Sequence, residues 1–168
     1  MEADISGNIK KSIVIIGGGL GGLELATRLV KTDFQVTLID KNNYNHFPPL
    51  IYQVASAGLE PSSISFPFRR LFQEKDNFFF RMATVEKIET EQKRVVTSIG
   101  DIEYDYLVIA AGATTNYFGN KQIQENCLPM KTVSEAMHLR NTILRNLEKA
   151  EIEKDPDKKQ ALMNVVIV

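Results

Sequence analysis

The sequence predicts an α/β fold built around a parallel β-sheet, and three observations lead to this prediction. An apolar strand at Ser12–Ile16 runs into a glycine-rich turn and a helix-forming segment at 23–31. A second strand follows at 34–39, and a third, almost wholly apolar, occupies 106–110. Near-continuous apolar strands around a helix are typical of parallel sheets that are buried on both faces. The 168 residues suffice for one domain with a hydrophobic core.

The turn after the first strand reads Gly-Gly-Gly-Leu-Gly-Gly and fits the pattern G-x-G-x-x-G. In this pattern the first glycine, Gly17, permits the tight turn, and the second, Gly19, lets the backbone approach a pyrophosphate. The third, Gly22, lets the helix pack closely on the strand, and Leu20 and Gly21 complete the turn. The N–H groups at the start of a helix favour an anion. A glycine loop that binds nothing is the alternative.

The second strand leads into Asp40, about twenty residues beyond the turn, where a carboxylate can accept the ribose hydroxyls of an adenosine. Strand, turn, helix and second strand therefore predict a Rossmann-like βαβ unit that binds a dinucleotide. A carboxylate at Asp40 repels a 2′-phosphate and so argues against NADP. It does not distinguish NAD from FAD.

Residues 42–59 contain no Lys, Arg, Asp or Glu and are rich in aromatic, proline and small residues. Long loops in compact domains are usually functional or disordered, and such an apolar sequence is a poor candidate for disorder. We expect this segment to pack on a flat, uncharged surface such as an isoalloxazine ring, with Gln53 orienting the ring. A buried connection that only fills the core is the alternative.

The middle of the chain predicts a helical turn that begins at Pro67 and then short strands. The strands are expected at 77–83, 85–90 and 94–99, with a hairpin turn at Gly100-Asp101. Together they would form a β-meander against the parallel sheet. The strand at 106–110 ends in the small residues Ala111, Gly112 and Ala113, which would bring backbone close to a ligand at the carboxyl ends of the strands. A simple tight turn is the alternative.

The last part of the chain predicts a helix and then a strand. Apolar residues recur every three or four positions over 132–150, as in a helix with one packed face. Residues 151–159 are charged and contain a proline, which indicates a surface connection. Residues 164–168 repeat the pattern of the first strand, so we divide the chain into a first domain at 1–160 and the first strand of a second dinucleotide-binding domain at 161–168. An extra strand of the same sheet is the alternative.

Composition excludes several functions. The net charge of −1 gives no electrostatic footprint for nucleic acid. The single cysteine, Cys127, excludes an internal disulfide framework, and 42–59 lacks the cysteine pair of disulfide reductases. His46 and His138 have no metal-ligand spacing, so we expect no metal site. The sequence shows no signal-peptide pattern and no apolar run of the ~20 residues that cross a bilayer, so we expect a cytoplasmic protein.

The sequence resembles the N-terminal part of the type II NADH dehydrogenases, the single-subunit, non-pumping NADH:quinone oxidoreductases. The matching blocks are 14–24, 36–40, 49–55, 104–113, 116–119 and 131–132. The first two occur in all flavoproteins with two dinucleotide-binding domains, whereas the Tyr-Gln-Val-Ala and Asn-Tyr-Phe-Gly blocks are narrower. The resemblance implies FAD in the first dinucleotide fold and NADH in a second one.

The resemblance also implies roles for single residues in binding FAD, and no catalytic acid or base. Pyrophosphate contacts are implied for Gly17, Gly19, Leu20, Gly21 and Gly22, ribose contacts for Asp40 and Lys41, a flavin contact for Gln53, a backbone contact to adenine for Val85, and closure over the cofactor for Ala111 and Gly112. The family's usual Ala-Thr-Gly turn is Ala110-Ala111-Gly112 here. Any hydrogen bond of that threonine is therefore missing.

For the intact protein the resemblance implies electron transfer from NADH through FAD to a quinone in a respiratory chain. It also implies a peripheral contact with the inner face of the cell membrane, and it leaves a homodimer open. This chain has no counterpart of the family's NADH site, quinone motif or membrane-binding helices, so we expect it to be inactive alone. Two alternatives stay open: a nucleotide-binding module without redox activity, and a fragment that holds FAD weakly.

Overall fold

The computed structural model describes residues 10–167. Its strands are β1 (Ser12–Ile16), β2 (Gln35–Asp40), β3 (Tyr44–His46), β4 (Ser65–Pro67), β5 (Phe78–Met82), β6 (Val85–Glu89), β7 (Arg94–Thr97), β8 (Gly100–Glu103) and β9 (Tyr106–Ile109). Its helices are α1 (Leu20–Leu29), α2 (Ile51–Ala55), α3 (Phe68–Leu71), α4 (Lys121–Asn126), α5 (Val133–Ile152) and α6 (Pro156–Met163), with 3₁₀ turns at Pro48–Leu50 and Pro61–Ser63. The elements form two compact units, one of residues 10–46 and 65–113 and one of residues 47–64 and 114–167.

The first unit is built on a parallel sheet with the strand order β5-β2-β1-β9, which confirms the predicted fold class. Strand β1 pairs in parallel with both β2 and β9. At its start, the Ser12 N–H and hydroxyl donate to the Asp105 carboxylate at 2.7 and 3.1 Å, and the Asp105 N–H donates to the Ser12 hydroxyl at 3.0 Å. These reciprocal bonds fix the register at which β9 joins β1.

Both faces of this sheet are covered, which explains the unbroken apolar sequence of β1. Successive side chains of a strand point to opposite faces, so alternate residues of β1 and β2 enter two separate cores. The core shared with α1 and α3 contains Ile13, Ile15, Ala26, Val36, Leu38, Phe68, Phe72 and Phe80. The core shared with the meander β6-β7-β8 contains Val14, Ile16, Ile39, Ala83 and Val95. The expected packing of a meander on the sheet is therefore present.

The strands of the middle region differ from the prediction in three respects. Strand β5 belongs to the parallel sheet and pairs with β2, so the meander consists of β6, β7 and β8 alone. Its second hairpin turns at residues 98–99, because Gly100 already pairs with Thr97. Strand β9 forms an edge of the described sheet and leaves Ile109 65% exposed, whereas its apolar sequence predicted burial on both faces. An apolar run does not reveal whether a strand has one neighbour or two.

Two predicted segments have different boundaries. Helix α1 begins at Leu20 instead of residue 23, because Gly19 already adopts an extended N-cap conformation. The uncharged segment 42–59 is not an irregular loop, since it contains β3, a 3₁₀ turn and α2. Strand β3 pairs with β4 in the first unit, and α2 belongs to the second unit.

The second unit is helical, and its longest helix is α5. A capping box starts α5: the Glu135 N–H donates to the Thr132 hydroxyl at 3.2 Å, and the Thr132 N–H donates to the Glu135 carboxylate at 2.8 Å. Such reciprocal bonds satisfy backbone donors that the first turn leaves without partners. The helix predicted at 132–150 is thereby confirmed. Helices α2 and α6 both contact α5.

The charged segment 151–159 is largely exposed, as predicted, but only residues 153–155 connect two helices, because a further helix begins within the segment. Pro156 is the first residue of α6, a position where the missing N–H of proline has no cost. The Asp155 carboxylate caps this helix by accepting from the N–H groups of Asp157 and Lys158 at 3.0 and 3.3 Å.

Residues 164–167 follow α6 without forming a strand, and Val168 lies outside the described residues. Residues 161–163 are part of α6. A second dinucleotide-binding domain that starts at 161–168 therefore stays a prediction. Among residues 10–167, no helix has both the length and the apolar character needed to cross a bilayer.

The Ser12–Asp105 contact generates a prediction on stability and pH. Hydrogen bonds from the Ser12 N–H and hydroxyl hold the pKa of the Asp105 carboxyl below its usual value. A depressed folded-state pKa stabilises the fold above the unfolded value of about 3.9, and this contribution is lost as the pH falls through the folded-state pKa. We expect the unfolding temperature to fall less steeply on acidification in Asp105→Asn than in the wild type.

Thermal unfolding followed by circular dichroism between about pH 6 and pH 2 measures this difference, because the interval includes the unfolded-state pKa of about 3.9 and extends below it. Asp33→Asn is the control, since Asp33 is exposed and no hydrogen bond or ion pair to it is found in the described chain. It should retain the wild-type slope. An Asp105→Asn slope equal to that of the wild type would contradict the prediction.

Candidate functional site

The glycine-rich turn joins β1 to α1 in a conformation that Gly17 makes possible. Gly17 has φ +99°, a backbone conformation that side chains rarely allow. Its N–H donates to the Ile39 carbonyl at 2.8 Å, which ties the turn to β2. A Cβ at Gly17 would lie 2.3 Å from the Ala110 carbonyl oxygen, at the end of β9. The turn therefore sits directly against the carboxyl ends of both neighbouring strands.

Two further glycines allow close packing behind the turn. A Cβ at Gly22 would lie 1.9 Å from the Gly17 carbonyl oxygen, so only glycine lets α1 approach the turn this closely. A Cβ at Gly18 would lie 2.2 Å from the ring of Phe68, which is fully buried. The role assigned to Gly22 in helix packing agrees with this geometry.

The opposite side of the turn is open. A Cβ at Gly19 or Gly21 would meet no atom within 4 Å, and both residues and Leu20 are exposed. No side chain of the described chain caps α1, whose first hydrogen bond runs from the Leu23 N–H to the Gly19 carbonyl at 2.9 Å. The N–H groups before Leu23 have no intrahelical acceptor, and the helix dipole adds a partial positive charge. This end of α1 offers hydrogen-bond donors to an anion.

Asp40 lies beside the turn at the end of β2. One oxygen of its carboxylate accepts from the Gly18 N–H at 2.7 Å, and the other accepts from the Asn42 N–H at 2.8 Å. Each carboxylate oxygen has a second acceptor site, and Asp40 is only half-buried. The free acceptor sites suit hydroxyl donors such as those of a ribose. Lys41 follows as an exposed side chain.

A buried amide completes the surroundings of the turn. Asn45 is 8% exposed, and its Nδ2 donates to the Gly18 carbonyl at 2.8 Å. The sequence did not identify Asn45, because an asparagine in an uncharged segment has no distinguishing pattern. The only available signal was its place shortly after the acidic residue of β2.

Three other predicted residues belong to the same unit. The Ala110 N–H donates to the Ile16 carbonyl at 2.8 Å, so the chain leaves β9 next to the end of β1. Ala111 and Gly112 follow as exposed residues, and Gly112 has φ +70°. Val85 starts β6 and packs against the core on the meander side of the sheet.

Gln53 belongs to the second unit, whereas the other predicted residues belong to the first. It is half-buried in α2, and its Nε2 donates to the Tyr52 hydroxyl at 3.0 Å. The backbone carbonyl of Gln53 accepts from the N–H groups of Gly58 and Leu59 at 2.7 and 3.1 Å, which closes the turn after α2. The side-chain amide keeps a carbonyl oxygen for a further donor. A flavin contact of Gln53 stays a prediction.

The first unit therefore combines uncapped helix donors with a carboxylate at the end of the adjacent strand. An anionic group on the helix and a pair of hydroxyls on the carboxylate together describe the adenosine diphosphate half of a dinucleotide. The residues present fit this group, since Gly17 and Gly22 permit the close packing behind the turn and Gly19 leaves the space in front of it open.

The sequence model of the family described as pyridine nucleotide-disulphide oxidoreductase matches residues 11–168. A type II NADH:quinone oxidoreductase, Ndh, of Mycobacterium tuberculosis is 34% identical over 160 residues, covering 93% of this chain and 35% of that protein. An external alternative NADH-ubiquinone oxidoreductase from mitochondria of Yarrowia lipolytica is 31% identical over 172 residues, covering 95% of this chain and 29% of that protein.

Comparison with solved structures also finds quinone and NADH oxidoreductases. NDH2 of Plasmodium falciparum, in complex with NADH, superposes with a TM-score of 0.81 and 27% identity over 90% of this chain and 32% of that chain. The sulfide:quinone oxidoreductase of Aquifex aeolicus superposes with a TM-score of 0.75 and 32% identity over 83% of this chain and 32% of that chain. The chain thus spans about a third of the length of these relatives.

The two helix glycines of the turn generate a matched pair of predictions. Gly22→Ala places a methyl group against the Gly17 carbonyl, so we expect the free energy of unfolding to fall by about 2–3 kcal/mol. Gly21→Ala is the control because its methyl group meets open space, and it should stabilise the fold by about 0.5 kcal/mol through the helix propensity of alanine.

Urea unfolding at equilibrium, followed by circular dichroism, measures both changes. A fall in the free energy of unfolding for Gly22→Ala and a rise for Gly21→Ala would support the described packing of α1 on the turn. Equal stability of the two variants would show that α1 does not pack against the turn as described.

Proposed function

The chain belongs to the pyridine nucleotide-disulphide oxidoreductase family, whose sequence model matches residues 11–168, and on this premise we propose that it is the FAD-binding front part of an NADH:quinone oxidoreductase. One observation carries the proposal: the uncapped start of α1 lies beside the Asp40 carboxylate, with the Gly18 N–H bonded to that carboxylate at 2.7 Å. The relatives named type II NADH:quinone oxidoreductase support the choice of substrates.

The first unit would hold the adenosine diphosphate half of FAD. The N–H groups of Gly19, Leu20 and Gly21 would bind the pyrophosphate, and Asp40 would accept the ribose hydroxyls next to Lys41. We assign three further contacts: Val85 to adenine, Gln53 to the flavin, and the Ala111-Gly112 turn over the cofactor. The bound flavin supplies the redox chemistry, accepting a hydride from NADH and passing electrons to a quinone.

The contribution of this chain is to bind, orient and enclose the cofactor. Asp40 would hold the adenosine end of FAD. Holding this end restricts where the flavin ring, at the other end of the cofactor, can lie. Disulfide reductases of similar fold carry a cysteine pair in the segment after the acidic residue of β2, and residues 42–59 contain no cysteine. A quinone acceptor is therefore the better assignment than a disulfide. We assign no catalytic acid or base within the chain.

We further propose that the intact protein acts in a respiratory chain at the cytoplasmic face of the cell membrane. Respiratory quinones are apolar molecules of the bilayer, so an enzyme that reduces them must contact the surface of the bilayer. The contact would be peripheral, and a homodimer is compatible with this arrangement.

The proposed function predicts, first, how a substitution in the turn affects cofactor binding by the 168-residue chain. Gly19 has φ −67° and faces open space, so Gly19→Val is accepted by the fold but occupies the proposed pyrophosphate site. We expect the Kd for FAD to rise at least about tenfold, while the free energy of unfolding changes by less than about 1 kcal/mol.

Quenching of flavin fluorescence measures the Kd, and urea unfolding of the same preparations measures stability. Unchanged FAD binding by Gly19→Val would reject the proposed placement of the pyrophosphate. A colourless wild-type protein that binds NAD and not FAD would favour the alternative of a nucleotide-binding module without redox activity, since bound FAD colours the protein yellow.

The second prediction concerns the activity of the whole gene product. The relatives are about three times as long as this chain, so the assay uses the longest product that the encoding reading frame specifies. We expect NADH oxidation that depends on added quinone and is lost when FAD is removed. The absorbance of NADH at its near-ultraviolet band follows the reaction.

Asp40→Ala in the same protein should lower activity through loss of FAD, and excess FAD should restore part of it, because the substitution weakens binding without touching the flavin ring. Oxidation of NADH at an equal rate without quinone or without FAD would reject the proposed function.

A further inference from the structure

The Gly18 peptide is held from both sides by side chains that lie outside the glycine motif. Its N–H donates to the Asp40 carboxylate at 2.7 Å, and its carbonyl accepts from the Asn45 Nδ2 at 2.8 Å. Gly18 is buried against the Phe68 ring, so water cannot readily replace these side chains as hydrogen-bond partners of the peptide. Removing the Asn45 amide would leave a buried carbonyl without its hydrogen bond, which is unfavourable.

The Asn45 contact also determines the direction of a second group. The Gly18 carbonyl and the Gly19 N–H belong to one planar peptide unit, and in a trans peptide these two groups point in opposite directions. Fixing the carbonyl towards Asn45 therefore aims the Gly19 N–H away from Asn45. Gly19 is exposed, and a Cβ at this position would meet no atom within 4 Å.

This restraint is needed because the turn is made of glycines. Residues 17–19 are all glycine, and a Gly-Gly peptide rotates more freely than any other, since neither residue has a Cβ to restrict φ and ψ. The helix holds the Gly19 carbonyl through Leu23, and β2 holds the Gly17 N–H through Ile39. Between these anchors, Asp40 and Asn45 are the side chains that fix the Gly18 peptide.

We propose that Asn45 is a positioning residue for the dinucleotide: it fixes the Gly18–Gly19 peptide so that the Gly19 N–H points at the pyrophosphate before the ligand binds. Preorganised donors raise affinity because the ligand does not have to order them. The inference rests on the proposed function and adds a residue that no motif contains. It also explains a neutral amide at this position, because a carboxylate would repel both the Gly18 carbonyl and the pyrophosphate.

The experiment compares two substitutions at this position with a matched control nearby. Asn45→Ala removes the donor without adding charge, and Asn45→Asp keeps the shape but replaces the donor with a carboxylate. Asn43→Asp is the control, because Asn43 is exposed and the substitution adds the same charge in the same segment. All are made in the 168-residue chain.

Isothermal titration with ADP measures affinity under conditions in which thermal unfolding shows each variant to be folded. ADP has the pyrophosphate and the adenosine but no flavin, so it reports on the first unit alone. We expect both Asn45 variants to bind ADP about tenfold more weakly and Asn43→Asp to stay within about twofold of the wild type. FAD should show the same order of affinities.

A second readout distinguishes positioning from a general loss of stability. In ¹H–¹⁵N spectra of the unliganded protein, the Gly19 amide resonance should shift in Asn45→Ala and stay in place in Asn43→Asp. A purely structural role would lower the unfolding temperature and leave both the Gly19 resonance and the ADP affinity of the folded protein unchanged.

The outcomes separate the two proposals. If the wild type binds ADP and the Asn45 variants bind it equally well, or if the Gly19 resonance does not move, the role of Asn45 is rejected while the dinucleotide site stands. If the wild-type chain binds neither ADP nor FAD, this inference is rejected, whereas the proposed function is decided by the activity of the whole gene product.

Discussion

The close approach of helix α1 to the end of β1 is the constraint on which the first unit depends. At Gly22 the helix backbone lies so near the Gly17 carbonyl that a Cβ would stand 1.9 Å from that oxygen. The same turn is bonded to β2 through Ile39 and lies against β9 at Ala110. One turn thus determines where α1 crosses the sheet and where its uncapped N–H groups point, so core packing and ligand geometry have a common origin.

Much of this arrangement could be predicted from the sequence, because its determinants are local. The strand Ser12–Ile16, the spacing of the glycines and Asp40 at the end of β2 together specify a βαβ unit. The long helix α5 was equally predictable, since its periodic apolar residues and the Thr132–Glu135 capping box agree. In each case a pattern of a few neighbouring residues has one physical interpretation.

The features that could not be predicted depend on contacts between distant residues. The apolar runs of β5 and β9 did not reveal that each lies at an edge of the described sheet, because pairing partners do not appear in a strand's own sequence. Pro156 suggested a chain break, yet Asp155 before it makes the same proline a helix start. Asn45 was missed because its function is defined by the Gly18 carbonyl, which is far from it in sequence.

Asp40 and Asn45 show why a glycine motif alone does not make a binding site. Glycine permits the tight turn and the close packing, but the freedom that permits them also leaves the peptide groups free to rotate. The restraint comes from side chains of the neighbouring strand and the segment after it. Asp40 thereby has two roles: it accepts from the Gly18 N–H of the turn, and in the proposed complex its remaining acceptor sites would bind the ribose. Loss of Asp40 would remove the ribose contact and loosen the turn together, so the effect of such a change on affinity cannot be assigned to the ribose alone. The Asn45 side-chain amide donates to the Gly18 carbonyl of the turn. A substitution there therefore isolates the contribution of a preformed anion site from that of the groups that contact the ligand.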